Sequence, residues 1–560
     1  MNRQYHRLSV CLAAAFLLLY PLGLNGQNGN SANNNAPVVA QDPGPRPIEL
    51  PGVFALDVGV NGIQVIDTVQ FPPPGGDINS PVGAGFPLNN IPPAVGPQWG
   101  NALAVFAEVT SVNGAFDPVA GQPTLLGLGP GFDGTSCFSC HSQPAVGGSS
   151  PGPLTFTFPV NPEVPAATAN GATNTIPSFV TANGPAREAR FVRNPDGSLD
   201  GSVHQLFTIV GRSDAPAGCS LQQPDFAAQV ARNNVVFRIP TPTFGAGFEE
   251  DVPDATLRAN LAADASEKAA LGIGGHFNIS QNDNTIARFG WKAQEKSLET
   301  FSGEAANVEQ GITNELSPNE KADGGCAGNP TPEDNTNILS PAVLAANGPS
   351  NVTSLVSSTV ENFTIFMRIN SPPTQCDFAS GLINPPGIPN CNPLGASALR
   401  GQALFGAPKN GGIGCVLCHT DTLVSGPSAI PNLNNVPFHP FSDFAVHHMG
   451  SNLADGIVQG TAGPDEFRTA PLWGVGQRIF LLHDGRTTDL VAAILAHASQ
   501  DDDCVSRTGE SRTFKVNGQV INTAPEEDSF CGSEANGVVK KFRHLSEAQK
   551  QDLLNYLRSL

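Results

Sequence analysis

Two copies of the pattern Cys-x-x-Cys-His constrain this chain more than any other feature of its sequence. They occupy residues 137–141 and 415–419. Two thiols one helical turn apart can add to the two vinyl groups of one porphyrin, and the histidine that follows then supplies an axial nitrogen to the iron. The pattern therefore predicts two covalently attached haem c groups. The residues predicted to bind them are Cys137, Cys140 and His141 in the first motif and Cys415, Cys418 and His419 in the second.

The alternatives to haem at these motifs are a zinc site, a redox-active dithiol and chance. A structural zinc site needs a second ligand pair at conventional spacing, and none accompanies either motif. A thioredoxin-like dithiol needs a strand before it and a helix after it. Here Gly, Ser and Thr precede the first motif, and Gly and Pro soon follow it. Two chance matches in one chain are also improbable. We therefore predict haem at both motifs.

The amino terminus has the features of an export signal. Arg3 and Arg7 form a short basic region before a mostly apolar run over residues 8–24. Small and polar residues follow that run. This pattern predicts a signal peptide over 1–26 and a periplasmic location, with a retained membrane anchor as the alternative. No later segment is apolar enough to span a bilayer. Residues 27–50, rich in Asn, Pro and Gly, are predicted to form a flexible tether.

Six of the eleven cysteines lie outside both the motifs and the predicted signal peptide. An even number of cysteines in an exported chain favours disulfides, each of which stabilises a fold by about 2–4 kcal/mol. Spacing alone leaves other pairings open. The pairings that it favours are Cys219 with Cys326, Cys376 with Cys391, and Cys504 with Cys531.

The charge balance excludes some classes of partner. The chain carries 29 Lys and Arg against 49 Asp and Glu, a formal charge of −20. Nucleic acids and anionic membrane surfaces need basic patches that this balance disfavours. A redox partner with a basic docking surface suits it better. The 60 glycines and 50 prolines among 560 residues favour a loop-rich body over long regular helices.

A weak internal repeat follows the two motifs. A Phe-Arg pair two or three positions before a proline occurs at 237–238 and again at 467–468. Trp291 and His483 then stand at matching places, each seven residues before a leucine. The repeated order predicts two cytochrome-c-like units, and accidental recurrence in a proline-rich chain is the alternative.

The predicted fold is mainly α-helical with much irregular chain. Helical character is clearest over 546–560, where Ser546 and Gln549 form a capping box. Shorter helices are predicted over 297–306 and 488–497.

The predicted domain order places a small β-rich extension before two haem domains. Alternating Val and Ile residues among Gly and Pro suggest the strands of that extension. The predicted boundaries are 51–130 for the extension, 131–375 for the first cytochrome-c-like haem domain with insertions, and 376–560 for the second.

Several stretches of the chain resemble the bacterial di-haem oxidoreductase family, often labelled thiol oxidoreductases. That family is similar to di-haem cytochrome c peroxidases and to the enzyme that matures tryptophan tryptophylquinone. The resemblance implies a peroxidase-like oxidoreductase with one reactive haem and one electron-transfer haem, and a non-catalytic electron carrier is the alternative. The matching stretches are 237–247, 288–293, 307–311, 442–456 and 471–497.

The resemblance also implies roles for individual residues. Trp291 matches the tryptophan that mediates electron transfer between the haems, although a lone tryptophan is more often a core residue. Glu309, with Gln310 beside it, matches an acidic residue at the first haem that moves a proton between peroxide oxygens. A solvated surface glutamate is the alternative. His483 is expected near the second haem.

The distal ligand of the second haem departs from the relatives. They place a methionine or tyrosine ligand at the end of the helix that follows the His-Asp-Gly segment, and this chain has His497 there. We therefore expect His419 and His497 to be the two ligands of the second haem iron. A bis-histidine haem has a lower potential than a His/Met haem, which puts the standard peroxidase cycle in doubt. Met449, His447 and His448 are rival ligands.

The first haem is less determined by the sequence. His204 or His276 could fill its sixth position, or the position could stay open, as peroxide chemistry requires. The expected partners are a small oxidant such as peroxide and a small redox protein. Calcium occurs between the domains of the peroxidase relatives, where Thr469 and Pro471 could supply oxygens here.

Overall fold

The computed structural model describes most of the chain after residue 127 and shorter pieces before it. The signal peptide, most of the tether and the pairings Cys376–Cys391 and Cys504–Cys531 lie outside the described residues. The chain divides into two units, residues 1–39 and 40–560. The described residues are 39–44, 87–88, 91, 96–107, 110–112, 114–115, 127–150, 161–328, 332–334, 358–373, 395–499 and 532–560, with the backbone of strands 55–58, 64–68, 153–155, 158–159, 513–516 and 519–522.

The described helices are mostly short and are joined by irregular chain. The first seven are α1 Gly96–Ala107, α2 Cys137–Cys140, α3 Glu163–Ala166, α4 Phe226–Ala231, α5 Ala246–Asp251, α6 Asp254–Ala262 and α7 Ala265–Leu271. The next six are α8 Leu298–Gln310, α9 Thr359–Ile369, α10 Ala396–Phe405, α11 Leu490–Ala496, α12 Asn536–His544 and α13 Glu547–Leu557. Single 3₁₀ turns lie at Ala169–Gly171, Pro408–Asn410, Cys415–Leu417 and Pro431–Leu433.

The described strands form two-stranded antiparallel pairs. The first four pairs are Ala55–Val58 with Gln64–Thr68, Thr110–Ser111 with Gly114–Ala115, Gly131–Phe132 with Phe207–Thr208, and Pro153–Thr155 with Phe158–Pro159. The others are Glu188–Phe191 with Val235–Arg238, Leu423–Val424 with Pro437–Phe438, Val446–His448 with Glu466–Arg468, and Thr513–Val516 with Gln519–Asn522. The fold is therefore a mixture of helices, a few short strands and irregular chain. Its division into two cytochrome-c-like domains and a β-rich extension stays a prediction.

The carboxy-terminal helix α13 begins where the sequence predicts. The Ser546 hydroxyl accepts from the Gln549 backbone N–H, and the Gln549 side chain accepts from the Ser546 backbone N–H, so the capping box is confirmed. This reciprocal pair satisfies donors that a helix start leaves without partners. Leu553, Leu554 and Leu557 are buried and pack α13 against α10.

Each Cys-x-x-Cys-His motif adjoins its own apolar cluster. Phe106 of α1 and Phe366 of α9 stack with ring centroids 4.2 Å apart, in the cluster that contacts Cys137. Phe405 of α10 and Tyr556 of α13 meet edge to face at 5.4 Å, in the cluster that contacts Cys415. These clusters hold the two motifs in place, because close-packed aromatic side chains have few alternative arrangements.

The described cysteines form two chemical classes, as the sequence predicts. Cys219 and Cys326 are joined by a disulfide, which confirms that pairing. The four motif cysteines are free thiols. Within the described residues, no helix has both the length and the apolar character that crossing a bilayer demands.

Candidate functional site

The first motif opens onto a cavity that Cys137, Cys140 and His141 line together. Its empty volume is about 1150 Å³, solvent at the mouth included. The His141 Nδ1 lies 3.1 Å from the carbonyl oxygen of Gly148. Because a carbonyl can only accept, the proton lies on Nδ1 and the Nε2 lone pair is left for a metal. Burial lowers the pKa of His141 to about 4, so the ring is neutral.

The second motif has the same arrangement in a separate cavity. Cys415, Cys418 and His419 line an empty volume of about 1470 Å³, solvent at the mouth included. The His419 Nδ1 lies 2.9 Å from the carbonyl oxygen of Phe441, and burial lowers the pKa of His419 to about 4. Free thiols, a neutral imidazole with the metal-binding tautomer and a large apolar cavity together fit a haem c group at each motif.

Trp291 lines both cavities. Its Nε1–H donates to the carbonyl oxygen of Ile239 at 2.8 Å, which fixes the indole. The His483 ring meets it edge to face, with centroids 6.3 Å apart. His483 lines the second cavity, stacks on Phe467 at 4.3 Å and is neutral, since burial lowers its pKa to about 4. The structure thus brings together two residues that sequence analysis selected separately.

Glu309 lies on α8 and lines the first cavity. Four further carboxyl residues that sequence analysis missed also line it: Asp133, Glu163, Glu188 and Glu304. The Glu309 carbonyl oxygen accepts from the N–H groups of Asp133 at 2.7 Å and Gly134 at 3.1 Å. Burial raises the pKa of Glu309 well above its usual range, and the nearby charge of Asp133 raises it further. Burial likewise raises the pKa of Asp133 far above its usual range and that of Glu163 to about 8. The Glu163 carboxyl therefore keeps its proton at neutral pH, and burial favours the protonated form of Glu309 and Asp133 as well.

No motif in the sequence marked Asp133 or Glu163. Asp133 stands in a Gly-rich loop before the first motif, and Glu163 lies in a Pro-rich segment after it. The Asp133 Oδ1 accepts from the Leu206 N–H at 2.5 Å, whereas its Oδ2 is buried without a hydrogen-bond partner among the described residues. The fold alone brings these side chains to the cavity.

Gln310 is buried beside Cys137, the first cysteine of the first motif. Its Oε1 lies 4.0 Å from the Cys137 Sγ, and its Nε2 donates to the Thr110 hydroxyl at 3.1 Å. Gln310 therefore lines the first cavity with its amide already held by Thr110.

His497 follows the last residue of α11 and lines the second cavity. Its Nδ1 lies 2.7 Å from the carbonyl oxygen of Ala493, one turn earlier, so Nε2 again keeps the lone pair. His497 is close enough to His419 to lower the pKa of His419 by charge repulsion. Met449 also lines the cavity, so both predicted ligands have access to it.

His447 and His448 have no nitrogen to offer a metal. The His447 nitrogens lie 2.7 Å from Glu534 and 3.1 Å from Asp443 carboxylate oxygens. Those of His448 lie 3.0 Å from Asp465 and 3.1 Å from Glu466. A neutral imidazole can donate from only one nitrogen, so two carboxylates per ring mean two imidazolium cations. Neither rival ligand is available in this arrangement.

The same argument removes a possible metal site. Among the described residues, the group of ligand types close enough to hold an ion is Cys418, Asp443 and His447, with ligand atoms within 4.8 Å of one another. Both His447 nitrogens already face carboxylates. Cys418 is moreover one of the cysteines that haem attachment would use.

His204 and His276 lie away from the first cavity. His204 pairs with Asp200 at 2.9 Å and stacks on Phe191 at 3.7 Å, and His276 pairs with Glu466 at 2.8 Å. Among the described residues that line the first cavity, His141 is the only histidine. Neither of the two candidates for its sixth ligand is therefore placed to act as one.

Thr469 lines the second cavity, and its backbone N–H and carbonyl oxygen both form hydrogen bonds within the protein. Its N–H donates to the carbonyl oxygen of Ala445 at 2.9 Å, and its own carbonyl oxygen accepts from the Ser442 hydroxyl at 2.5 Å. Calcium at Thr469 and Pro471 stays a prediction.

Residues 395–508 match the family model described as "Di-haem oxidoreductase, putative peroxidase". This match confirms the family that the sequence resemblance indicated. No curated protein matches the chain.

Two solved structures are similar to the chain at low identity. One is the hydrazine synthase of Kuenenia stuttgartiensis, at 17% identity and a TM-score of 0.18 over 39% of this chain and 60% of that one. The other is a MauG-like protein associated with microbial copper homeostasis, at 16% identity and a TM-score of 0.27 over 57% of this chain and 90% of that one. The low TM-scores leave the family match as the comparison on which the proposal rests.

Proposed function

We propose that this chain, a di-haem oxidoreductase by its match over residues 395–508, is an exported peroxidase-like enzyme that reduces a small oxidant such as peroxide. Haem c is attached through Cys137 and Cys140 in the first cavity and through Cys415 and Cys418 in the second. The observation that carries the proposal is that Trp291 lines both cavities. A small redox protein exchanges electrons at the second centre, and its basic patch complements the net charge of −20.

Each bound haem supplies one-electron redox chemistry, and the chain decides what each centre can do. His141 and His419 present Nε2 because the carbonyl oxygens of Gly148 and Phe441 hold their Nδ1 protons. In the second cavity His497 supplies a further imidazole, which suits an electron-transfer centre. In the first cavity no second histidine is placed among the described residues, which suits a centre open to a small oxidant.

Glu309 and Asp133 handle protons at the first centre. Cleaving the O–O bond of hydrogen peroxide to two waters takes up two electrons and two protons. The protons held on the Glu309 and Asp133 carboxyls are positioned in the cavity that admits the oxidant. Solvent returns protons to these carboxyls, and the redox partner replaces the electrons.

Trp291 and His483 connect the two centres. The indole provides a π-system at the wall common to both cavities, and the Ile239 carbonyl holds it in one orientation. His483 keeps its imidazole neutral and packed between Trp291 and Phe467. The pair gives electrons a short, rigid route through the protein.

The test is spectroscopy of the protein matured with its haem-attachment machinery. Intact mass after denaturation should exceed the polypeptide by two haems. The ferric spectrum should contain one high-spin component that cyanide or peroxide perturbs and one low-spin component that neither changes. Two low-spin haems that ignore both reagents would instead identify an electron carrier, and an unmodified mass would refute haem attachment.

A further inference from the structure

Seven arginines are buried in the described part of the chain, and six of them pair with a carboxylate. Burying an unpaired guanidinium costs several kcal/mol, so this pairing is what burial demands. The six pairs are Arg190–Glu188, Arg212–Asp214, Arg238–Asp455, Arg288–Asp254, Arg468–Glu249 and Arg558–Asp42.

Arg478 is the seventh, and no carboxylate among the described residues pairs with it. Arg478 is only 6% exposed, and its Nη2 is buried without a hydrogen-bond partner among the described residues. Burial alone lowers the pKa of Arg478 to about 10, still well above neutrality, so the group is a cation. Arg478 lines the second cavity, as do His419 and Cys418. A buried cation at a cavity wall without its own carboxylate points to an anion that enters the cavity.

We infer that Arg478 binds a propionate carboxylate of the porphyrin in the second cavity. The inference rests on the proposed function, which places haem c at Cys415 and Cys418. A porphyrin of this kind has two propionates as its ionised groups, and a guanidinium fork matches a carboxylate in shape and charge.

The other arginine of the second cavity is already engaged. The Arg468 Nη1 donates to Glu249 at 2.9 Å and to the Arg288 carbonyl oxygen at 2.7 Å. Arg478 is therefore the arginine of this cavity whose charge is left for the cofactor.

The test compares Arg478→Gln and Arg478→Lys in the holoprotein with both haems attached. Removing a cation beside a haem favours the ferric form, so Arg478→Gln should shift the oxidation equilibrium of the low-spin haem about tenfold, about 59 mV for one electron. Its midpoint potential should also become more dependent on pH, because the freed propionate titrates closer to neutrality. Arg478→Lys should recover most of the potential. Resonance Raman bands of the propionates should move in Arg478→Gln.

Arg468→Gln is the matched control. It removes a charge at the same cavity, but the buried Glu249 can take up a proton in compensation. It should therefore lower stability with little change in the haem potential. If Arg478→Gln leaves the potential, its pH dependence and the propionate bands unchanged, Arg478 serves another anion and the inference fails. Intact mass still reports both haems in that case, so this failure is distinct from failure of the proposed function.

Discussion

The indole of Trp291 and the imidazole of His483 meet edge to face, with ring centroids 6.3 Å apart and an interplanar angle of 72°. The two residues are almost two hundred positions apart in the sequence, yet they occupy matching places in its weak internal repeat. Their contact joins the two halves of that repeat at the wall of the second cavity. This geometry makes the proposed electron route between the cavities open to direct test.

Replacing Trp291 by Phe should slow electron transfer between the centres. The smaller ring loses both the extended π-system and the hydrogen bond to Ile239, and we expect turnover to fall about tenfold or more, at least about 1.4 kcal/mol in barrier. Stopped-flow reduction of the first haem measures the effect. Trp473→Phe is the matched control, since Trp473 packs on Phe438 in the core and lines neither described cavity. Equal slowing in both variants would contradict the role of Trp291.

Replacing His497 by Ala should convert the second haem from low to high spin. His497→Met should raise its potential, because a thioether ligand favours the ferrous form more than imidazole does. Absorption spectra and potentiometric titration provide both readouts. Met449→Leu should leave the spectrum unchanged. A spin change in Met449→Leu with none in His497→Ala would identify Met449 as the ligand.

Replacing Glu309 by Gln should impair the proton-dependent step at the first haem. We expect the rate with peroxide to fall about 10²-fold, at the low end for loss of a general acid or base. Asp133→Asn should show a smaller loss, because it removes the second proton-bearing carboxyl. It should also alter the pH profile where Asp133 ionises, since the charge of an ionised Asp133 raises the pKa of Glu309. Rapid-mixing kinetics across pH measure these changes. Unchanged rates in Glu309→Gln, with cyanide binding intact, would exclude the proposed proton role.

Replacing Glu163 by Gln should flatten the pH dependence of stability. Burial raises the pKa of Glu163 from 4.5 to about 8, so the native state keeps a proton that the unfolded state loses. The native protein is therefore destabilised as pH rises through that interval, and Glu163→Gln lacks this loss. Denaturant unfolding of both ferric proteins at several pH values measures this difference in the free energy of unfolding.

Glu547→Gln is a control with the opposite sign. The half-buried Glu547 has its pKa lowered by hydrogen bonds from Lys550 and the Ala40 backbone. The free energy of unfolding of the wild type therefore increases as pH rises towards the ordinary pKa of a glutamate. Glu547→Gln should lack this increase. Parallel curves for Glu163→Gln and wild type would contradict the buried, protonated Glu163.

Local features of the sequence determined the chemistry available at the two Cys-x-x-Cys-His motifs. The Cys-x-x-Cys-His spacing, the capping box at Ser546 and the helix end at His497 all depend on residues within about one or two turns of one another. Such features keep their geometry wherever the fold places them. For this reason they could be predicted without knowing the tertiary structure.

The tertiary structure decided the surroundings of the sites. In the part of the chain that the structure describes, Asp133 meets Glu309, His447 meets Glu534, and Arg478 is left without a carboxylate, because distant segments pack together around the cavities. Whether a carboxyl keeps its proton or a histidine keeps a lone pair depends on burial and on partners far away in the sequence. Burial is a property of the whole packed chain, and no spacing rule encodes it.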